Sequence, residues 1–468
     1  MSLSILAAEA LSGARPAVYW TDSPDAPRPA PSLHGSSRAD LVIIGGGFSG
    51  LWASILAAER DPNRSVVLLE AEETGFGASS RNGGFVEASL THGVANGLRH
   101  WPDEMRELLR LGDQNYDDLL AFVASNEIDA RVEETGVLHV ATEPWQIDEL
   151  AEYHEILDRF GIPSEMLSAD QVRAEVQSST YVGGLRDPQG MAIVDPARLV
   201  WGLRQVAEAR GVAVHDHSAV VGFERHRTDI GVHTAEGSVT ARKVVVATNA
   251  YANPVKAMRR YIVPVYDYVL MTEPLSADQL LSIGWEGRQG LSDVTNQFHY
   301  YRLTHDNRIL WGGYDAIYRY RSAIGPEYDQ AGDTHHKLAE HFFTTFPQLE
   351  GLRFSHRWAG PIGTTTRFTA TWGTSFDGNL AWVGGYTGLG VCASRFGAAV
   401  ALDLVDGRDT ELTNLSMVRK KPMPFPPEPF RYAGIQLTRR ALAKADTKQG
   451  HRGPWLKLLD KFGVGFDS

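Results

Sequence analysis

Apolar positions along the chain follow two rhythms. Leu41-Val42-Ile43-Ile44, Val66-Val67-Leu68-Leu69 and Val244-Val245-Val246-Ala247 are short, unbroken apolar runs, the pattern of strands buried on both faces of a parallel sheet. Between the first two, Leu51 to Glu59 has helical spacing. Segments 260–272 and 297–313 instead mix aromatic and β-branched residues around an Asp306-Asn307 turn, which predicts antiparallel strands. Helices are expected over about 102–125, 145–160, 331–346 and Ala393 to Val405, and a short one after Ser168. Asp195-Pro196 opens another that Gly211 stops: the aspartate caps free N–H groups and proline takes the first turn. Further strands are expected at 212–217, 219–225, 229–234, 354–362 and 380–384. Residues 1–38 read as an irregular arm, because four prolines fall between Pro24 and Pro31, with Trp20 as its anchor.

The turn after the first strand carries chemistry. Gly45, Gly47 and Gly50 form G-x-G-x-x-G between strand and helix, and Glu70 closes the next strand twenty residues past Gly50. The first glycine permits the tight turn, the second lets backbone approach a pyrophosphate, and the third lets helix pack on strand. A carboxylate at Glu70 can accept both hydroxyls of an adenosine ribose. A dinucleotide is therefore expected here. The motif alone does not separate NAD from FAD. Its place at the start of the ordered chain and the lack of a second copy favour FAD.

Composition changes the picture mainly by exclusion. The 468 residues suggest two domains, and a net charge of −12 argues against nucleic acid. The single cysteine, Cys392, rules out an intrachain disulfide and suits a reducing cytoplasm. No apolar stretch approaches a membrane span, so integral membrane association is not expected. The tail runs against the overall charge, with eleven Lys/Arg to four Asp/Glu from 417 onward; an extension wrapping an acidic body is the reading that follows. His215/His217 and His335/His336/His341 lack partners at ligand spacing, so no metal is expected.

Taken in order, Ile43 to Gly50, Glu70, Gly75-Phe76-Gly77-Ala78-Ser79-Ser80-Arg81-Asn82-Gly83-Gly84, Val246 to Ala250 and Gly385-Tyr386-Thr387-Gly388-Leu389-Gly390-Val391 resemble the D-amino-acid-oxidase superfamily of FAD amine oxidoreductases, which includes glycine and sarcosine oxidases. The likeness spans 38 to about 408 and is greatest to the gamma-glutamylputrescine oxidoreductase branch. It implies an α/β fold: a discontinuous Rossmann-like FAD-binding domain (39–100, 190–258 and 355–409) and a second α+β substrate domain on an antiparallel sheet (101–189 and 259–354). An arm (1–38) and a C-terminal extension (410–468) complete the chain. By the same resemblance Gly45, Gly47, Phe48, Ser49 and Gly50 meet the pyrophosphate, and Glu70 with Ala71 the adenosine ribose. Gly77, Ala78, Ser79, Ser80 and Arg81 would contact phosphate and ribose, and Asn82, Gly83 and Gly84 would run beside the isoalloxazine. The Val220 backbone would touch adenine, and Ala247 and Thr248 would close over the dinucleotide. Gly385, Thr387, Gly388, Leu389, Gly390 and Val391 would form the amide cluster facing the flavin's pyrimidine end, where reduction develops negative charge.

Departures from the family pattern bear on substrate. Relatives acting on small N-methyl amino acids carry a carboxylate-binding lysine where this chain has Cys392, and a histidine where it has Leu389. The expected substrate is thus a primary or secondary amine without a nearby carboxylate, such as a polyamine derivative. No thiol lies in 358–376, so covalent flavin attachment there is excluded and FAD is expected to bind non-covalently. Trp311 falls near the position of a lysine credited with oxygen activation, leaving oxygen or another acceptor open. His299 and Tyr301, which share a strand face, together with Trp358 and Leu389, are the expected substrate contacts. No catalytic acid or base and no oligomeric state can be assigned. An amine dehydrogenase, a flavin monooxygenase and a non-catalytic flavoprotein stand as alternatives.

Overall fold

A computed structural model describes residues 2–251 and 255–464. Parts of three expected segments, namely Met1 of the arm, 252–254 of the first domain and 465–468 of the extension, lie outside the described residues. The first eight-stranded sheet runs β17 (Thr371–Ser375), β18 (Leu380–Gly384), β11 (Gly237–Val246), β1 (Gly35–Ile44), β2 (Val66–Leu69), β8 (Ala213–His215); β10 (Asp229–His233) joins β11, and β9 (Gly222–His226) joins β10. Its centre is parallel, with Leu41 to Ile44 paired to Val66–Leu69 on one side and to Lys243–Val246 on the other. That is what unbroken apolar runs require: both faces of β1 are covered, and Leu41, Val42 and Ile43 are fully buried.

The second eight-stranded sheet runs β16 (Phe354–Thr364), β12 (Val263–Thr272), β15 (Ile309–Tyr318), β14 (His299–Leu303), β13 (Gly290–Asp293), β4 (Val137–Ala141), β6 (Gly183–Asp187), β5 (Glu165–Ser168). Its pairings are antiparallel except β13 with β4. A small ladder of β3 (Phe85–Glu87) and β7 (Met191–Ile193) lies between the glycine-rich loop and the second sheet.

Several boundaries differ from the expected ones. The arm is not wholly irregular, because the Ala- and Leu-rich Leu3–Leu11 segment precedes every proline and forms a helix. Its Ala7, Ala10 and Leu11 pack with Leu338, Phe342 and the second sheet in one core. The arm also gives way to β1 at Gly35. The Met105–Ser125 helix was expected in the second domain. Its Leu108, Leu111, Leu119 and Val123 instead join Leu51, Trp52 and Phe396 in the first core, since its apolar stripe matches the outer side of the G-x-G-x-x-G helix. Strand β16 pairs with β12 and so belongs to the second sheet, not to the first domain.

The C-terminal extension touches both halves. Arg367 donates to the Lys420, Met417 and Ala370 carbonyls. Farther on, the Phe430–Asp446 helix lies along β15, where Arg439 pairs with Asp315, and Asp446 accepts from Asn296 before β14.

Candidate functional site

The site is built where β1 ends. Gly45 has φ +107°, and a Cβ there would approach the Ala247 carbonyl oxygen to 2.8 Å. A Cβ on Gly50 would collide with the Gly45 carbonyl oxygen, so the third glycine sets how closely helix and strand pack. Gly47 stands at the N-cap of the Phe48–Arg60 helix without a side-chain cap, and Ser79 Oγ would be 2.8 Å from a Cβ there. A helix N-terminus whose own N-cap is a glycine, with only the Phe48 N–H taken by Ser79 Oγ, is an anion-binding arrangement. Glu70 leaves β2 toward the same turn: one carboxylate oxygen accepts from Gly46 N–H at 2.6 Å, the other from Glu72 N–H at 3.0 Å. Burial raises its pKa. Ala71, next along, is exposed, and the Glu70 carbonyl accepts from Ser218 N–H at 2.7 Å. This brings the 218–220 turn, with half-buried Val220, up to the acid.

The 75–84 loop is tied internally. Ser79 Oγ accepts from Phe48 N–H at 2.9 Å. Asn82 donates to the Ala78 and Ser79 carbonyls and accepts from Gly84 N–H. Trp20 donates to the Asn82 carbonyl and Trp358 to the Arg81 carbonyl. The Arg81 guanidinium is engaged by the Phe76 and Ala359 carbonyls and by Asp329 at 2.8 Å, so this side chain ties the loop to the second sheet. Gly83 and Gly84 face Tyr300 and Arg302 so closely that a Cβ would lie 2.8 Å from either side chain.

The late turn meets the first. Tyr386 and Ser49 hydroxyls are 2.7 Å apart. Asn249 Oδ1 accepts from Gly385 N–H at 2.8 Å, joining the turn after β11 (Ala247, Thr248) to the turn after β18. Gly385 and Gly388 have φ +84° and +95°, and Thr387 also lies in the left-handed region. Gly388 is exposed, Leu389 and Gly390 half-buried and Val391 buried. They lead into the Ala393–Asp406 helix, whose N-cap Cys392 gives no side-chain cap. Cys392 is buried beside Asn115 Nδ2 at 3.1 Å, and burial pushes its thiol up to about 12, so it is neutral.

Two buried hydroxyls on this rim, Thr248 Oγ1 and Ser80 Oγ, have no hydrogen-bond partner among the described residues. An uncompensated buried hydroxyl costs about 1–3 kcal/mol. With the glycine cradle, the helix N-terminus behind it and Glu70, they fit a polar, anionic dinucleotide.

A match to the family model for FAD dependent oxidoreductases (DAO) covers residues 40–404. The chain belongs to this family. FAD is the cofactor that the cradle suits. Gamma-glutamylputrescine oxidoreductase of Escherichia coli is 32% identical over 395 residues, 83% of this chain and 88% of the relative. A probable oxidoreductase, OrdL, of Haemophilus influenzae is 28% identical over 84% of this chain and 89% of its own length. Glycine oxidase from Geobacillus kaustophilus superposes with TM-score 0.69 at 20% identity, covering 82% of this chain and 99% of that one. No helix among the described residues is long and apolar enough to cross a membrane.

For this oxidoreductase the structure corrects the choice of strand face in the second domain. His299 and Tyr301 do not face the cradle. Tyr301 is 1% exposed, packed on Trp311 and Phe346, with its hydroxyl 2.7 Å from that of Tyr181. His299 sits between Asp293 at 2.7 Å and His341 at 2.9 Å, under the Thr334–Thr345 helix. Trp311 lies on this covered face too and makes no approach to the cradle. Alternation puts Tyr300 and Arg302 on the other side. Tyr300 donates to Asp267 at 2.5 Å and meets Phe85 edge-on. Arg302 donates to the Val194 carbonyl and lies over Trp20. Trp358 is on this side as well, packed with Val269, Leu310 and Tyr300 against the glycine-rich loop. The sequence held no signal for the choice, because both faces of β14 carry an aromatic and a basic residue.

Proposed function

We propose that the protein oxidises a C–N bond of a primary or secondary amine that lacks a carboxylate near its nitrogen, such as a polyamine derivative. When bound, FAD would supply the two-electron chemistry that oxidises the carbon beside a neutral amine nitrogen, and the imine product would hydrolyse in water. The chain's part is to hold, orient and desolvate. Gly45, Gly47 and Gly50 with the Phe48–Arg60 helix would hold the pyrophosphate, Glu70 the ribose, and the turn before the Ala393–Asp406 helix the charge that develops on reduction. Non-covalent attachment, oxygen or another electron acceptor, and a cytoplasmic location belong to the same reading.

The observation that carries it is the union of the Gly45–Gly50 cradle with a late amide turn whose next residue is a neutral cysteine. A buried thiol held up to about 12 offers no charge to a substrate carboxylate. The 32% identity to an enzyme named for gamma-glutamylputrescine points the same way. Anaerobic titration of the purified yellow protein with a panel of amines tests it. Bleaching of the flavin band by carboxylate-free amines, and not by glycine or sarcosine, is expected; no bleaching by any amine overturns the reading. Stopped-flow mixing of the reduced protein with air-saturated buffer then separates an oxidase from a dehydrogenase.

A further inference from the structure

Large apolar side chains left in solvent are not spread evenly over the molecule. Met423, Phe430, Tyr432, Leu437, Leu458 and Phe462 are 39–69% exposed and make up half of the exposed large apolar residues among those described. They belong to a tail that is about a tenth of the chain. On the Phe430–Asp446 helix, Phe430, Ala433, Leu437, Arg440 and Lys444 follow at steps of three and four residues and so share one side. All five are exposed, while Thr438 and Ala445 on the packed side are buried. Tyr432 widens this patch to Tyr320, itself 50% exposed, with ring centroids 5.5 Å apart. The Pro454–Lys461 helix repeats the device: Lys457, Leu458, Lys461 and the following Phe462 are exposed, and Leu456 is buried. Trp455 Nε1 donates to Thr438 Oγ1 at 3.0 Å and so holds the second helix against the first.

The charge of this surface is one-sided. Arg440, Lys444, Lys448, Lys457 and Lys461 are exposed and form no ion pair with another described residue. The acids of the described tail are engaged. Glu428 accepts from the Arg321 and Tyr432 N–H groups at 3.0 and 3.1 Å, Asp446 from the Asn296 N–H at 3.0 Å, and Asp460 pairs with Arg452 at 2.7 Å. The charge left uncompensated is therefore positive. The rest of the chain is more acidic than the net −12 of the whole, because the tail from 417 onward holds eleven Lys/Arg to four Asp/Glu. An anionic surface thus attracts the tail and repels the body, which fixes the side that approaches it.

The residue types favour lipid over protein as that surface. Protein interface cores are depleted in lysine and bury contiguous area. Here Phe430 and Leu437 stand two helical turns apart, with bases continuing the same stripe. Scattered apolar side chains flanked by Lys and Arg suit the boundary between lipid headgroups and acyl chains. We propose that the C-terminal extension docks the protein on the surface of an anionic bilayer. Phe430 and Leu437 enter the headgroup boundary, Arg440 and Lys444 meet lipid phosphates, and the Pro454–Lys461 helix supplies a second contact. The docking goes beyond the oxidation reaction and does not depend on which amine is oxidised.

Flotation of the FAD-loaded protein with vesicles tests it. Phosphatidylethanolamine vesicles with about one-third phosphatidylglycerol should bind it at least tenfold more tightly than phosphatidylcholine vesicles, and high salt should remove most of that preference. Arg440→Glu/Lys444→Glu should weaken binding to the anionic vesicles at least tenfold, and Phe430→Ser/Leu437→Ser at least fivefold. Flavin content and melting temperature should stay at wild-type values in both, since all four side chains are exposed. Equal binding to the two vesicle types overturns the proposal, as does binding to neither. Variants that keep their fold and bind like wild type overturn it too. The wild-type lipid and salt series needs no variant, so a folding defect in one leaves the test intact. Ultracentrifugation without lipid adds a last arm: a dimer that Phe430→Ser/Leu437→Ser dissociates, with no vesicle binding, assigns the stripe to a second copy of this chain and overturns the lipid surface.

Discussion

The two faces of the second sheet are made by the same strands and have opposite characters. Under the Thr334–Thr345 and Leu3–Leu11 helices, Tyr266, Tyr268, Tyr301 and Trp311 pack with Phe342 and Phe346 in a dry aromatic core. Several of its polar atoms pair with one another, as Tyr181 does with Tyr301 and Asp293 with His299 and His341, while the Trp311 indole N–H has no partner among the described residues. The opposite face carries Asp267, Tyr300, Arg302 and His139, of which Tyr300 and Arg302 meet the glycine-rich loop at Gly83 and Gly84. Burial lifts Asp267 to about 6 and lowers His139 to about 4. One face is sealed by helices and the other meets the glycine-rich loop of the first domain. Which is which depends on where helices distant in sequence come to lie.

That difference can be broken most forcefully from the packed side. Phe342→Ala should destabilise the protein by about 3–5 kcal/mol, because a fully buried ring leaves a cavity. Flavin content and turnover per folded molecule should stay near wild type. Denaturant unfolding followed alongside flavin absorbance checks this, and a selective loss of turnover would show that the covered face takes part in the reaction. Tyr300→Phe acts on the other face. It strips a donor from the buried Asp267 carboxylate and should cost about 1–3 kcal/mol of stability. The rate of anaerobic flavin reduction should fall by a larger factor than that stability loss implies through unfolding.

The asymmetry also has a pH signature. Asp267 is raised from 3.8 to about 6, chiefly by burial, so the folded state binds more protons than the unfolded state between those values. Its contribution to stability is therefore least unfavourable below about pH 4 and becomes fully unfavourable above about pH 6. Asp267→Asn should remove that part of the pH dependence. Chemical unfolding midpoints at pH 4.5 and 7 should converge relative to wild type. A variant whose midpoints keep the wild-type difference would place the titration elsewhere.

How far the sequence shows these features follows from the physics that sets each of them. The first sheet is legible because local constraints coincide at Gly45, Gly50 and Glu70: a positive φ, a helix–strand contact that admits no Cβ, and an acid at the end of the next strand. Each restricts residue type within a few positions. The second sheet is only half legible. Its strands follow from aromatic and β-branched content, yet His299/Tyr301 and Tyr300/Arg302 look alike in sequence, and only the position of Thr334–Thr345 distinguishes them. The Leu3–Leu11 helix was obscured by the prolines after it.

The smallest expected effect concerns the joint between the two regions being compared. Arg81 belongs to the glycine-rich loop, while Asp329 and the Ala359 carbonyl belong to the second domain. Removing the charge with Asp329→Asn leaves Arg81 its carbonyl partners at Phe76 and Ala359, so the loop keeps two of its three anchors. Asp329 is 21% exposed at its side chain, and water screens the pair. The loss should therefore be about 0.5–1 kcal/mol and should shrink further in high salt. Melting temperatures at low and high ionic strength, with and without added FAD, provide the reading. A salt-independent loss several times larger would mean that the ion pair, rather than the backbone hydrogen bonds, sets how the loop meets the open face of the second sheet.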